Sequence, residues 1–189
     1  MGFFMTEIEQ KIKAILASFN RGEKYKAINE IDLLLNTNKQ NKDLLLIKAK
    51  MLININQIND GINYLLKILN IEPKNYLVLK LVYSNLLKIN NHNFAEKYIN
   101  KLLKIKNDDY ELLRDKAFIE YLKKNYSLSE NFIKKAIEIN KKEVFGLNIY
   151  GLLKIEQNNV LEAIKFFEKA ISINPNYADS YNNMGKMFY

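Results

Sequence analysis

Cysteine and tryptophan are absent from the 189-residue chain, and histidine occurs once. Without cysteine there is no disulfide, no thiolate zinc site and no thiol nucleophile. A single histidine argues against a multi-histidine metal site and against a Ser-His-Asp triad with a spare base. Two prolines and six glycines are too few to punctuate an all-β fold, whose turns need both. No two glycines fall within four residues of each other, so no loop is built to cradle a phosphate, and there is no HExxH or metal-spaced carboxylate cluster. No stretch approaches the roughly 18 consecutive apolar residues of a membrane span. The chain is expected to be non-enzymatic, with no cofactor, no metal and no small-molecule substrate.

What is present describes a folded protein. Hydrophobic residues make up 48% and charged residues 26%, in a length that suits one or two domains. A net charge of +8 points on its face to nucleic acid, an anionic membrane or an acidic protein. However, 27 of the 29 basic residues are lysine, and lysine, asparagine and isoleucine together fill 78 positions. These three share A/T-rich codons, so base composition accounts for the basicity without a ligand, and neither nucleic acid nor membrane is an expected partner. The start, Met1-Gly2-Phe3-Phe4-Met5-Thr6, lacks the basic residues and long apolar run of a secretory signal. It fits the loose myristoylation pattern, but the bulky Phe3 and Phe4 speak against that modification. A cytoplasmic protein is expected, with these apolar residues packed over the exposed end of the first helix.

An internal period carries the rest. Two similar segments start at Gly61 and Ala163, and Pro73 and Pro175 are three times 34 residues apart. Laid out at a period of 34, the chain gives repeats 8–41, 42–75, 76–109, 110–143 and 144–177, then a half repeat 178–189, after a lead-in 1–7. No insertion is needed. One column reads Ala27, Gly61, Ala95, Ser129 and Ala163, small throughout. Gly, Ala and Ser total 22 residues, so chance would produce such a column on the order of once in a thousand sequences. Four residues on stand Ile31, Leu65, Ile99, Ile133 and Phe167, and three further Leu34, Ile68, Leu102, Ala136 and Ala170. Steps of four and three share a helix face, where small residues admit a neighbouring helix and large ones fill the gap. The first half of each repeat has its own column, Ile15, Ala49, Tyr83, Ala117, Gly151 and Gly185. Ile15 and Tyr83 are too bulky for the pattern and should hold their helix pairs wider apart. Short polar turns separate the halves, Thr6-Glu7-Ile8-Glu9 reads as a capping box, and Asp108-Asp109 opens a helix. His92, in the run Asn90-Asn91-His92-Asn93, reads as a solvated turn residue.

The run Tyr150-Gly151, Ala163, Phe167, Ala170, Pro175, Tyr181, Met184-Gly185 and Phe188 resembles the signature of the tetratricopeptide repeat family. The resemblance extends from Ile8 to Tyr189, with departures at Tyr83, Lys39, Asn107 and Lys141. It implies an all-α fold, an α-solenoid of stacked antiparallel helix pairs wound into a right-handed superhelix, and one repeat domain over 8–189. In such proteins the concave groove, lined by the first helix of each pair, holds a peptide or helix from a partner. A non-catalytic protein-interaction scaffold is therefore the expected function. Its groove residues are taken as Lys50, Lys80, Ser84, Arg114, Phe118, Tyr121 and Asn148, with Phe118 and Tyr121 as flat anchors and Arg114 suited to a carboxylate. The expected partner is a protein or peptide with acidic and apolar residues. The dicarboxylate clamp of some family members is incomplete, because Ser84 and Asp115 stand where asparagines are required. The half repeat leaves Tyr181, Met184 and Phe188 on an uncovered face. That suggests either self-association through the last helix or a longer protein, such as an enzyme whose recruiting arm this is. An RNA-binding solenoid is the remaining alternative, disfavoured by the strict 34-residue period.

Overall fold

The computed structural model describes residues 6–187, which form eleven α-helices and no strand. The expected packing of Met1 to Met5 on the first helix, and Phe188 on the last, lie outside the described residues. The chain divides into two compact units, residues 1–91 and 92–189. The first holds α1 (Glu7–Asn20), α2 (Lys24–Thr37), α3 (Lys42–Asn54), α4 (Ile58–Ile71) and α5 (Tyr76–Lys88). The second holds α6 (His92–Ile105), α7 (Tyr110–Leu122), α8 (Tyr126–Ile139), α9 (Val144–Glu156), α10 (Val160–Ile173) and α11 (Ala178–Gly185). Within each unit every helix packs on the next in sequence, and in the second unit α9 also touches α7 and α11 directly.

The helix starts follow from local chemistry. Thr6 caps α1 in a reciprocal capping box with Glu9. Asn41, Asn75 and Asp109 accept backbone N–H groups at the starts of α3, α5 and α7, and Glu143 does the same for α9. The turns inside the helix pairs share one backbone requirement. Gly22, Asn56, Asn90, Lys124 and Asn158 all have positive φ, and they recur every 34 residues. Glycine reaches this left-handed region without penalty and asparagine tolerates it, whereas lysine at φ 62° is strained.

The cores are built where the two small columns meet. Ala27, Ala95, Ser129 and Ala163 have no exposed surface, and neither do Ile31, Leu65, Ile99, Ile133 and Phe167. Between α3 and α4, a Cβ added to Gly61 would lie 2.9 Å from the Ala49 carbonyl oxygen, so the backbones are nearly in contact. Ser129 donates a buried 2.7 Å hydrogen bond to the Ala117 carbonyl, tying α8 to α7 at the matching place. Between α9 and α10 the Phe167 ring lies against Gly151, where a Cβ would come within 2.7 Å of Cζ. His92 departs from its expected role. It is the first residue of α6, half-buried, with its ring edge-on to Phe118 at 5.9 Å.

Two substitutions separate backbone strain from packing. Lys124→Gly should raise stability to urea by about 0.5–1 kcal/mol by relieving the left-handed lysine. Gly151→Ala should lower it by about 1–3 kcal/mol, because Phe167 has no room to move aside. Equal effects of the two on the unfolding midpoint would contradict this account.

Candidate functional site

In the second unit the first helices of successive pairs, α7, α9 and α11, lie side by side. Their shared face is held in place by polar contacts. Asn148 is buried, and its side-chain oxygen accepts from Ser180 Oγ and Asn183 Nδ2, each at 3.1 Å, which pins α11 to α9. Arg114 donates from Nε to Asp115 Oδ1 at 2.8 Å and from a terminal nitrogen to Glu143 Oε1 at 3.0 Å. Its guanidinium lies 5.4 Å from the Phe145 ring centre. Glu143 thus joins two jobs, holding Arg114 with one oxygen and capping α9 through Gly146 N–H with the other. Phe145 in turn meets Phe118 edge-on at 5.4 Å. Tyr121 tilts against Tyr126 at 5.9 Å and donates a long hydrogen bond to Glu156 at 3.5 Å. The result is a row of half-buried aromatic side chains.

Electrostatics follow from this crowding. Burial works against the Arg114 charge, but Asp115 and Glu143 outweigh it and raise its pKa, so it stays a cation. Burial pushes the Asp115 carboxyl up, with Arg114 offsetting only part of the effect. Burial also raises the Tyr177 phenol well above its usual range, helped by the carboxylate of Asp179.

The sequence-derived groove residues are distributed over both units. Arg114, Phe118, Tyr121 and Asn148 belong to the second unit, with Arg114 occupied by its own carboxylates and Asn148 by α11. In the first unit Lys50 is exposed on α3, in line with half-buried Leu46 and Ile53. Lys80 is half-buried on α5, and Ser84 donates to the Leu81 carbonyl at 3.2 Å. Phe145, Glu143 and Tyr126 were not anticipated. Phe145 lies in a column one helical turn ahead of Asn148, and extending the groove pattern back by three residues would have found it.

Buried ion pairs link one helix pair to the next. Lys116 of α7 bonds Glu96 of α6 at 2.6 Å and its own helix neighbour Glu120 at 2.7 Å, and Lys123 also reaches Glu96. Lys154 of α9 meets Glu130 of α8 at 3.2 Å, where Gln157 and Lys134 also donate. Burial alone would raise Glu96, yet hydrogen bonds from Lys116 and Lys123 hold it at about 2. Glu130 is held at about 2 mainly by Lys134, against burial and with help from Gln157 and Lys154. Among the described residues no group of three or more His, Cys, Asp or Glu is placed to hold a metal ion, and no helix is long and apolar enough to cross a membrane.

Residues 151–189 match the family model for the TPR, or tetratricopeptide, repeat. Solved structures align over almost the whole chain. MamA 41–end from Desulfovibrio magneticus RS-1 aligns over 92% of this chain and 99% of its own, at 15% identity and TM-score 0.75. YrrB, described as a TPR protein with an unusual peptide-binding site, aligns over 92% and 89%, at 13% identity and TM-score 0.76. A tetratricopeptide repeat protein from Parabacteroides merdae ATCC 43184 aligns over 95% and 72%, at 19% identity and TM-score 0.81. This is the tetratricopeptide-repeat fold. Comparison with curated protein sequences finds no significant match.

The ion pairs set a pH dependence for the repeat fold. Glu96 and Glu130 sit below their ordinary value of 4.5, so their stabilisation is present above that value and is lost as pH falls towards 2. Asp115, shifted upwards, acts with the opposite sign. The urea midpoint should therefore fall between about pH 5 and 2. In Glu96→Gln/Glu130→Gln the slope should be markedly shallower, and an unchanged slope would remove these two residues as its source.

Proposed function

We propose that the chain is a non-catalytic scaffold that holds a peptide segment or helix of a partner protein against the face formed by α7, α9 and α11 of its second unit. The observation that carries this reading is the set of Phe118, Phe145 and Tyr121, half-buried on that face, with Phe118 and Phe145 held against each other and Arg114, and Tyr121 against Tyr126 and Glu156. Rigid aromatic side chains offer a large contact area with little entropy left to lose, which makes them natural anchors. The likeness in fold to a peptide-binding TPR protein supports the same conclusion.

Within this reading the seven groove residues divide by role. Phe118 and Tyr121 contact the partner. Arg114 and Asn148 keep α7, α9 and α11 in register beneath it. In the first unit we assign Lys50, in line with Leu46 and Ile53 on α3, and Lys80 and Ser84 on α5 as partner-contacting residues of that unit. We further propose that the 34-residue repeat is the structural unit, with the boundaries derived from the sequence.

The test is a peptide library selected on the immobilised protein, with binding of the enriched peptides then measured by fluorescence polarisation. Peptides with apolar anchors should be enriched, and Phe118→Ala/Tyr121→Ala should weaken them by about tenfold or more, or roughly 1.4 kcal/mol or more. Selected peptides that bind the double variant as tightly as the parent would place the binding surface elsewhere.

A further inference from the structure

The chain is basic overall, but its charges are unevenly spread: α6 carries a surplus of lysine, whereas α8 and α10 each hold two lysines and two glutamates. In the second unit Lys97, Lys101 and Lys104 of α6, Lys135 of α8, and Lys165 and Lys169 of α10 are all exposed. None of these six makes an ion pair among the described residues. Three of them, Lys101, Lys135 and Lys169, occupy one column of the 34-residue layout, and Lys67 of α4 shares it.

On α7, α9 and α11 of the second unit, acids stand around the aromatic row. Glu143 and Asp115 flank Arg114 and outnumber it, Glu156 is exposed beside Tyr121, and Asp179 is exposed at the start of α11 next to Tyr177. The column three residues ahead of Arg114 and Asn148 reads Glu9, Asp43, Leu77, Glu111, Phe145 and Asp179, acidic in four of six. Acids in a first helical turn offset the helix dipole, which explains their place along the helix. They nevertheless leave the aromatic row with a negative border.

We propose that the odd-helix face of the second unit takes a segment carrying lysine or arginine beside apolar side chains, opposite to what the net charge of +8 suggests. This rests on the peptide-binding reading above and specifies the partner's chemistry. Three features of the face agree on it. The Phe118–Phe145 row presents π faces, which attract cations as well as apolar groups, and Arg114 already uses one of them in this way. Glu156, bonded to Tyr121, and Asp179, beside Tyr177, supply exposed carboxylates. A partner carboxylate would meet Glu143 and Asp115 around the only cation in the row, and would have to displace one of them to reach its guanidinium.

The experiment compares two labelled peptides, one of Lys, Leu and Phe, the other with every Lys replaced by Glu, on the full chain by fluorescence polarisation. The Lys peptide should bind about tenfold tighter at low salt and lose most of that preference at about 0.5 M salt. Asp179→Asn/Glu156→Gln, which keep side-chain size and the acceptor for Tyr121, should remove most of the preference while the apolar part of the peptide still binds. Tighter binding of the Glu peptide would overturn the proposal. If that binding were lost in Phe118→Ala/Tyr121→Ala, the peptide-binding face would stand and only its charge preference would fall. If it were lost instead in Lys101→Glu/Lys135→Glu/Lys169→Glu, the even-helix surface would be the docking site. Failure of both peptides to bind would overturn this proposal together with the peptide-binding reading.

Discussion

Close approach of helix backbones is the constraint on which the rest of the structure depends. A methyl group added at Gly61 or Gly151 would collide with the facing helix, and Ser129 lies close enough to bond the Ala117 carbonyl. That closeness brings the large residues four positions on, such as Leu65, Ile133 and Phe167, into complete burial. A fully buried side chain of this size contributes about 1.5–3 kcal/mol, so each pair draws much of its stability from residues the small column allows to sink. The turns serve the same end. A left-handed residue at each reverses the chain within a few positions and delivers the second helix at the right height.

A second layer of interaction operates between pairs. Lys116 with Glu96, and Lys154 with Glu130, join the second helix of one pair to the first helix of the next. Such buried pairs are weak evidence for net stability, since desolvation offsets much of their attraction. Their effect is on geometry: a helix that slid by one turn would leave a buried charge without its partner. The same logic fixes α11, whose Ser180 and Asn183 share the single oxygen of Asn148.

The repeat and its packing columns were legible because they depend on residue size at a fixed spacing, which a sequence displays directly. The candidate site was legible only in part. Phe118 and Tyr121 could be placed on a face by their period, but the role of Arg114 could not be read. Its partner Glu143 lies 29 residues away and meets it only because α7 and α9 touch. Asn148 looked like a polar groove residue for a similar reason, since its burial comes from α11. His92 was misplaced because a run of asparagines suggests a loop. In fact the turn is completed by Asn90 in the left-handed region, and α6 has already begun at His92. Asparagine is abundant in this chain, yet it occupies three of the five left-handed positions, so codon bias and backbone geometry favour the same residue there.

The uneven spread of exposed charge, with Lys97, Lys101 and Lys104 together on α6 and Glu156 and Asp179 on α9 and α11, gives the second unit an electric moment as well as a net charge. In the field of a charged molecule such an object experiences a torque before any contact is made. It rotates during its approach, and fewer collisions are wasted on the wrong face. Two surfaces of one small unit can thereby discriminate among partners by orientation, at distances of about a Debye length, before any side chain touches.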